Sequence, residues 1–285
     1  MKVSVTSYSY SQAIGDGAFT IFDAMDHAKK IGAEGFEFSG FSVPEGKTKQ
    51  EQAQTLREYS DKIGLPIVAY AIGANFMNED LDAEVEKTCR EVDIAKILGA
   101  PVMRHDVAGG FQDWYTGIRT FDAVLPRLAE GCRRVTEYAA SLGIRTCSEN
   151  HGFFVQDSDR IVALVTAVGN TNYGALCDMG NFLCADDDSA VAVGKVAPFT
   201  YHVHAKDFLW KPGTEENPGR GWFSTRAGNY LRGTIVGHGV VPVRQDIRIL
   251  KAAKYEGFVT LEFEGMEKPL EAVEIGVGNL KQYIG

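Results

Sequence analysis

The segment KILGAPVMRHD, Lys96–Asp106, contains the pattern that decides the fold. It joins the end of an amphipathic helical stretch to a short apolar run that is typical of a buried strand. Between them, Gly99 follows the last apolar position of the helix, where a left-handed residue commonly ends a helix. The order helix, glycine, strand recurs at four further glycines: Gly32, Gly64, Gly143 and Gly257. This repetition predicts βα units and a parallel sheet.

Eight strand-like runs alternate with eight helical stretches along the chain. The predicted strands are Val3–Tyr8, Gly35–Ser39, Ile67–Ala71, Val102–Asp106, Ile144–Ser148, Ala175–Asp178, Tyr201–Ala205 and Val259–Phe263. The predicted helices are Phe19–Ile31, Lys49–Ile63, Leu81–Leu98, Leu125–Leu142, Asp157–Val168, Ala190–Val196, Val243–Ala253 and Lys268–Tyr283. Eight units favour a (β/α)8 barrel over a doubly wound open sheet, because no glycine-rich phosphate fingerprint follows the first strand. We expect residues 1–285 to form a single barrel domain, since no linker divides them.

One segment interrupts the alternation of helices and strands. Residues Phe208–Gly239 are rich in glycine, proline, tryptophan and arginine. Segments of this length without regular structure are usually functional or disordered in compact domains. Because the segment follows the seventh strand, we expect a long loop that lies over the mouth of the barrel.

The composition restricts the possible partners. The 285 residues carry a net charge of -9 and a sequence pI near 5.2, which argues against nucleic acid and membrane surfaces as partners. The first residues lack the pattern of a secretory signal, and no apolar stretch is long enough to cross a bilayer. We therefore expect a cytoplasmic protein. Its five cysteines are an odd number without CxxC spacing, which predicts reduced thiols.

Four potential metal ligands stand at the ends of four predicted strands: Glu149, Asp178, His204 and Glu262. Strands of a parallel barrel end at one face, so these side chains are expected to converge. A single acidic residue at a strand end is more often a helix N-cap or a surface charge, but four at equivalent positions favour a metal site. The period of a strand also places His202 on the same face as His204. Mostly oxygen donors suit Mn²⁺, with Mg²⁺ and Co²⁺ as alternatives.

Five motifs together resemble the xylose isomerase-like barrels of the sugar phosphate isomerase and epimerase family, over nearly the whole chain. They are SENHG at Ser148–Gly152, CDMGN at Cys177–Asn181, HVHAKD at His202–Asp207, GHGVV at Gly237–Val241 and YEGFVTLEFEG at Tyr255–Gly265. The resemblance implies the same four metal ligands. It also implies that two of them, Glu149 and Glu262, exchange the proton of the substrate, as the equivalent glutamates do in ketose 3-epimerases.

Further residues of these motifs and of nearby loops are candidates for contact with a sugar. Asn181 stands where the related epimerases have a histidine. Lys206 could polarise a carbonyl group, although strand alternation favours its pairing with Asp207. His151 is a candidate general base or a hydrogen-bonding group at the mouth of the pocket. The remaining candidate substrate contacts are His105, Arg226 and His238.

The resemblance implies an enzyme that removes a proton next to the carbonyl group of a ketose or 3-oxo-sugar through a metal-bound enediolate. An alternative is a lyase, the catalytic subunit of a C-glycoside deglycosidase, in which His151 would be the base and a small second subunit would be needed. A hydrolytic site like that of endonuclease IV would need more histidines and a basic face. A sugar-binding module without activity would leave the four ligands without a purpose. Oligomers are common among such barrels, so we expect an oligomer.

Overall fold

The computed structural model describes residues 1–17 and 19–285, and eight parallel strands form a closed barrel. The barrel strands are β1 (Lys2–Thr6), β2 (Gly35–Ser39), β3 (Ile67–Ile72), β4 (Val102–His105), β5 (Arg145–Glu149), β6 (Tyr173–Asp178), β7 (Thr200–Ala205) and β11 (Phe258–Leu261). Their order around the barrel is β1-β11-β7-β6-β5-β4-β3-β2. The prediction of a (β/α)8 barrel is confirmed.

The helices pack outside the barrel. They are α1 (Ser11–Gly15), α2 (Ile21–Lys30), α3 (Lys49–Ile63), α4 (Leu81–Leu98), α5 (Phe121–Ser141), α6 (Ser158–Val168), α7 (Ser189–Val196), α8 (Val243–Ala252) and α9 (Pro269–Ile284). Side-chain caps define several helix starts. Thr20 and Thr48 each form a capping box with the acidic residue three positions later. Helix α5 begins earlier than predicted, at Phe121, because Thr120 caps it.

Four of the five glycines predicted to end helices do so. Gly32, Gly64, Gly99 and Gly143 have φ angles of 83°, 64°, 73° and 73°, in the region that residues with a Cβ rarely adopt. The prediction for Gly257 is wrong. Helix α8 ends at Ala252, and Lys254 takes the left-handed conformation with φ 61°.

Side chains alternate along each barrel strand, so one set faces the surrounding helices and the other faces the interior of the barrel. The main apolar core lies between the barrel and the helices, whereas a small separate cluster of Ala69, Val102, Cys147 and Leu176 is formed by strand residues. Polar groups also form a hydrogen-bonded chain within the strands: Ser4 to Thr260 at 2.6 Å, and Thr260 to His202 at 2.8 Å. The barrel therefore carries buried polar side chains whose hydrogen bonds are satisfied, as burial requires.

The segment predicted as a loop contains a small antiparallel sheet. Strands β8 (Asp207–Lys211), β10 (Tyr230–Thr234) and β9 (Phe223–Ser224) pair in that order. The first strand is also shorter than predicted, because the chain turns into a 3-10 helix at Ser7–Tyr10 that Thr6 caps. In the part of the chain that is described, none of the helices is long and apolar enough to traverse a bilayer. The five cysteines are free thiols, as predicted.

Candidate metal centre

Four adjacent strands bring the predicted metal ligands together. Glu149 ends β5, Asp178 ends β6, His204 lies in β7 and Glu262 follows the last residue of β11. The His204 Nδ1 atom is 3.5 Å from Glu262 Oε2, 3.8 Å from Glu149 Oε1 and 3.8 Å from Asp178 Oδ2. One potential ligand atom from each residue lies within 4.8 Å of the others, and all four residues are buried. We call these four residues the ligand cluster.

Two atoms of the ligand cluster lack a hydrogen-bond partner although they are buried. They are His204 Nδ1 and Asp178 Oδ2. The other oxygen of Asp178 accepts hydrogen bonds from the backbone N–H groups of Gly180 and Asn181, at 2.8 and 2.9 Å, which fixes the carboxylate. Burial and the nearby acidic side chains raise the pKa of Asp178 to about 7. Unpaired polar atoms and crowded carboxylates are costly without a cation, so the donor set fits a divalent metal ion.

Glu37, on β2 across the barrel, supports the histidines and was not among the predicted site residues. Its Oε1 atom lies 2.9 Å from His204 Nε2, and its Oε2 atom lies 2.8 Å from His202 Nε2. Although burial opposes ionisation, the charges and hydrogen bonds of both histidines hold the pKa of Glu37 well below its usual range. The carboxylate accepts the Nε2–H of His204, which leaves Nδ1 as the ligand atom. A lone glutamate in the apolar strand GFEFS was the available sequence signal.

Lys206 reaches into the ligand cluster. Because β7 ends at Ala205, strand alternation does not apply to the next residue. The Lys206 Nζ atom lies 2.7 Å from Glu262 Oε2 and 3.4 Å from Asp178 Oδ2. The favoured pairing of Lys206 with Asp207 is therefore wrong.

Asp207 instead holds the GHGVV turn. Its carboxylate accepts hydrogen bonds from the backbone N–H groups of Phe208, Gly237, Gly239 and Val241, at 2.9 to 3.0 Å. A Cβ atom at Gly239 would lie 2.2 Å from Asp207 Oδ1, so this close approach requires glycine. The GHGVV motif thus has a structural role in anchoring the start of β8.

A chain of charged groups connects the ligand cluster with His151. Arg104 Nη2 lies 2.6 Å from Glu149 Oε2 and 2.8 Å from Asp106 Oδ1. The same Asp106 oxygen lies 2.9 Å from His151 Nδ1. Although desolvation opposes the charged form, the hydrogen bond to Asp106 and the charge of Glu149 raise the pKa of His151. His151 is therefore held in a fixed orientation, as a residue that transfers protons needs to be.

Asn181 bridges two members of the site. Its Nδ2 group donates a hydrogen bond to Glu149 Oε1 at 2.9 Å, and its Oδ1 atom accepts one from Lys206 at 3.2 Å. These contacts fix the amide orientation and connect the carboxylate with the ammonium group. Asn181 also lines a cavity, and its contact with a substrate stays a prediction.

The ligand cluster opens into a cavity of about 610 Å³ at the mouth of the barrel, lined by Glu149, His204 and Glu262 among others. A second cavity of about 330 Å³ is lined by Asn181. The two share four lining residues: Tyr8, His151, Lys206 and Glu264. The site is therefore a cleft with two lobes that meet at His151 and Lys206.

Three of the predicted substrate contacts do not line either lobe of this cleft. His105 alternates with Arg104 on β4 and is buried beside Phe76, with ring centroids 5.5 Å apart. Arg226 donates hydrogen bonds to Asp157 at 2.8 Å and to a backbone carbonyl at 3.0 Å. His238 is exposed in the turn that Asp207 holds. These three residues therefore lie outside the cleft.

The sequence profile of one protein family, the xylose isomerase-like TIM barrel, matches residues 25–283. The chain belongs to this family. The match covers the ligand cluster and seven of the eight barrel strands, because β1 precedes residue 25. No curated protein sequence shows a significant match to the chain.

Solved xylose isomerase-like barrels resemble the chain over its whole length. The 3-keto-D-glucoside 4-epimerase YcjR from E. coli is 15% identical, with a TM-score of 0.71 and 99% of each chain covered. D-Psicose 3-epimerase from Clostridium cellulolyticum H10, solved with D-tagatose, is 15% identical, with a TM-score of 0.70 and coverage of 100% of this chain and 99% of that one. A xylose isomerase-like barrel from Mycobacterium smegmatis, solved with magnesium, is 17% identical, with a TM-score of 0.73 and coverage of 99% and 96%. At these identities, the likeness shows the fold.

Proposed function

We propose that this protein is a divalent-metal-dependent isomerase or epimerase that removes a proton next to the carbonyl group of a ketose or 3-oxo-sugar. The convergence of four buried ligand atoms at the base of an open cleft carries the proposal. The resemblance to structures described as a 3-keto-D-glucoside 4-epimerase and a D-psicose 3-epimerase supports sugar chemistry.

Glu149, Asp178, His204 and Glu262 would hold the metal ion. When bound, the ion would act as a Lewis acid toward the oxygen atoms of the sugar. The oxygen-rich donor set favours Mn²⁺, with Mg²⁺ and Co²⁺ as alternatives, and the related barrel solved with magnesium supports a divalent ion.

Glu149 and Glu262 are the proposed proton-transfer groups. They stand at the two ends of the arc of strands β5, β6, β7 and β11. Although burial opposes ionisation, Lys206 and His204 hold the pKa of Glu262 well below its usual range, so its carboxylate is ionised, as a metal ligand must be. Epimerisation requires one group to remove the proton and another to return it on the other face of the carbon. Two carboxylates from separate strands supply such a pair.

Two cationic side chains are placed to stabilise the negative charge that develops when the proton leaves. Lys206 is 2.7 Å from Glu262, and Arg104 is 2.6 Å from Glu149. Both are buried, so their charges act in a medium of low dielectric constant, where they stabilise an enediolate more strongly than in water.

A second candidate function is lyase activity on 3-oxo-C-glycosides with His151 as the base. The hydrogen bond between His151 and Asp106 favours it, because a carboxylate that orients an imidazole is typical of general-base catalysis. This activity would release the aglycone instead of exchanging a proton. The lyase activity would require a small second subunit. For either function, we also propose that the protein forms oligomers and lies in the cytoplasm.

The test is incubation of metal-loaded protein in D₂O with ketohexoses and 3-oxo-glucosides, followed by NMR of the sugar. We expect deuterium to enter at a carbon next to the carbonyl group. The rate should fall by at least about 10²-fold in Glu262→Gln, as loss of a general base does. Glu130→Gln, on the outer surface of α5, is the control and should match the wild type. No exchange with any of these sugars would refute the proposed reaction.

A further inference from the structure

The larger lobe of the cleft extends well beyond the ligand cluster. In the barrel order, β2 stands opposite β6, and β3 stands opposite β7. The wall of the lobe on that side is formed by Phe41 after β2, Tyr70 on β3, Lys49 on α3 and Glu91 on α4. We call these four residues the distal wall. A ligand that fills the lobe must contact both the ligand cluster and the distal wall.

The volume of the larger lobe is greater than the volume of one sugar ring. A hexose displaces roughly six or seven water molecules, or about 200 Å³ at about 30 Å³ for each water. The lobe measures about 610 Å³. A monosaccharide at the ligand cluster would therefore leave room for a second ring against the distal wall.

Phe41 is the partly exposed aromatic ring of the distal wall, and the fully buried Tyr70 supports it from within the protein. Glu91 accepts hydrogen bonds from Lys49 at 2.6 Å and from the Tyr70 hydroxyl at 2.7 Å. The Lys49 ammonium lies 5.7 Å from the centre of the Phe41 ring, and the Phe41 and Tyr70 ring centres are 6.0 Å apart. Rigid aromatic groups bind flat ligands with little loss of conformational entropy. This wall fits a second sugar ring or an aromatic aglycone.

The charges near the distal wall do not favour a phosphate group. Lys49 is paired with Glu91, and Lys87, which also lines the lobe, lies 3.0 Å from Glu84. A phosphate at this wall would compete with Glu91 and Glu84 for these two ammonium groups. An uncharged group avoids this competition.

We propose that the substrate is a neutral glycoside, with its reacting sugar at the ligand cluster and its second ring or aglycone against Phe41 and the rest of the distal wall. The proposal rests on the proposed function for the position of the reacting sugar. Contact with the distal wall would select glycosides over free monosaccharides and sugar phosphates. The ligand cluster alone does not select among these three classes.

The test is calorimetric binding to the full chain loaded with Mn²⁺. The probes are phenyl and methyl glucosides and galactosides, in both anomeric forms, together with D-glucose 6-phosphate. We expect one phenyl glycoside to bind about tenfold more tightly than its methyl counterpart, because only the phenyl ring reaches the distal wall. Phe41→Ala should remove this preference and leave methyl glycoside binding within about twofold. Tyr138→Ala, an exposed aromatic residue on α5, is the matched control and should retain the preference.

Equal binding of phenyl and methyl glycosides, tightest binding of glucose 6-phosphate, or no binding of any glycoside would overturn the proposal. Deuterium exchange measured in parallel separates it from the proposed function. Exchange confined to free ketohexoses would overturn the glycoside proposal and leave the enolising reaction standing. A phenyl preference that depends on Phe41, without exchange in any sugar, would support the site and refute the reaction.

Discussion

Replacement of Glu37 by glutamine tests whether this residue prepares His204 for a metal ion. Glu37 contacts the Nε2 atoms of both His202 and His204, at 2.8 and 2.9 Å, and is fully buried. Glutamine keeps the shape of the side chain but removes its charge. Its amide can accept from one histidine only and must donate to the other. When it donates to His204 Nε2, the ring carries its proton on Nδ1, and the ligand atom is lost.

The expected loss of metal affinity depends on the charge of Glu37 as well as on the tautomer of His204. Without metal, the pKa of His204 is raised well above its ordinary value, since Glu37 and Glu262 outweigh the effect of burial. Metal binding replaces one proton by a doubly charged ion, so the Glu37 carboxylate favours the metal-bound state over the protonated state. Loss of a supporting carboxylate of this kind typically weakens metal binding by about 10- to 100-fold, or about 1.4 to 2.7 kcal/mol.

The assay is titration of metal-free wild type and Glu37→Gln with Mn²⁺, followed by calorimetry at one pH. Asp246→Asn is the matched control, because it also converts a buried carboxylate to an amide, but outside both lobes of the cleft. Circular dichroism establishes that each variant is folded. If folded Glu37→Gln binds Mn²⁺ as tightly as the control, the proposed role of Glu37 is refuted.

Three further predictions concern charge, pH and packing. Lys206→Met should bind Mn²⁺ at least as tightly as the wild type, since a competing ammonium is removed, while deuterium exchange falls by at least about 10²-fold; loss of metal would contradict this. Burial raises the pKa of Asp246 to about 7, so its neutral form stabilises the fold below the ordinary pKa of 3.8, and this contribution is lost as the pH rises toward 7. In urea unfolding, the stability of the wild type relative to Asp246→Asn should therefore fall between about pH 4 and about pH 7, by up to about 1.4 kcal/mol for each pH unit, and level off above that range; an unchanged difference would count against it. A Cβ atom at Gly131 would lie 2.5 Å from the Phe76 ring, so Gly131→Ala should lower the free energy of unfolding by about 1 to 3 kcal/mol, whereas Gly194→Ala, in open space on α7, should raise it by up to about 1 kcal/mol; equal effects in the same assay would refute the packing account.

The barrel was predictable because its signals are local. Apolar periodicity and helix-ending glycines depend on neighbouring residues, and four of the five predicted glycines have the expected backbone conformation. The convergence of Glu149, Asp178, His204 and Glu262 followed from the rule that parallel strands of a barrel end at one face. Local pattern and one topological rule were sufficient for both.

Other parts of the site depend on contacts between distant segments, which a sequence pattern does not contain. Glu37 lies 167 residues from His204 in the chain, yet they share a hydrogen bond. The direction of the Lys206 side chain depends on whether β7 ends at Ala205 or continues through Lys206. Alternation alone does not decide where a strand ends. His105 and Arg226 are polar residues near the mouth of the barrel, but their hydrogen bonds go to the backbone of Asp106 and to the side chain of Asp157.

The segment after β7 shows a different limit. Its glycines and prolines predicted a loop, yet Tyr230–Thr234 pairs with Asp207–Lys211 in an antiparallel sheet. The pairing joins residues that are 19 to 27 positions apart in the chain. The four backbone hydrogen bonds to Asp207 fix where this sheet begins, and no single-residue preference indicates them.

The most direct test of the central claim is the number of divalent metal ions bound by each chain, measured by plasma mass spectrometry after loading with Mn²⁺ and removal of free ions. We predict one ion for each wild-type chain and for Glu130→Gln, and a loss of that ion in Asp178→Asn, which replaces a buried carboxylate of the ligand cluster by a neutral amide. Wild-type protein that binds no Mn²⁺, Mg²⁺ or Co²⁺, or folded Asp178→Asn that binds as much as the wild type, would contradict the account.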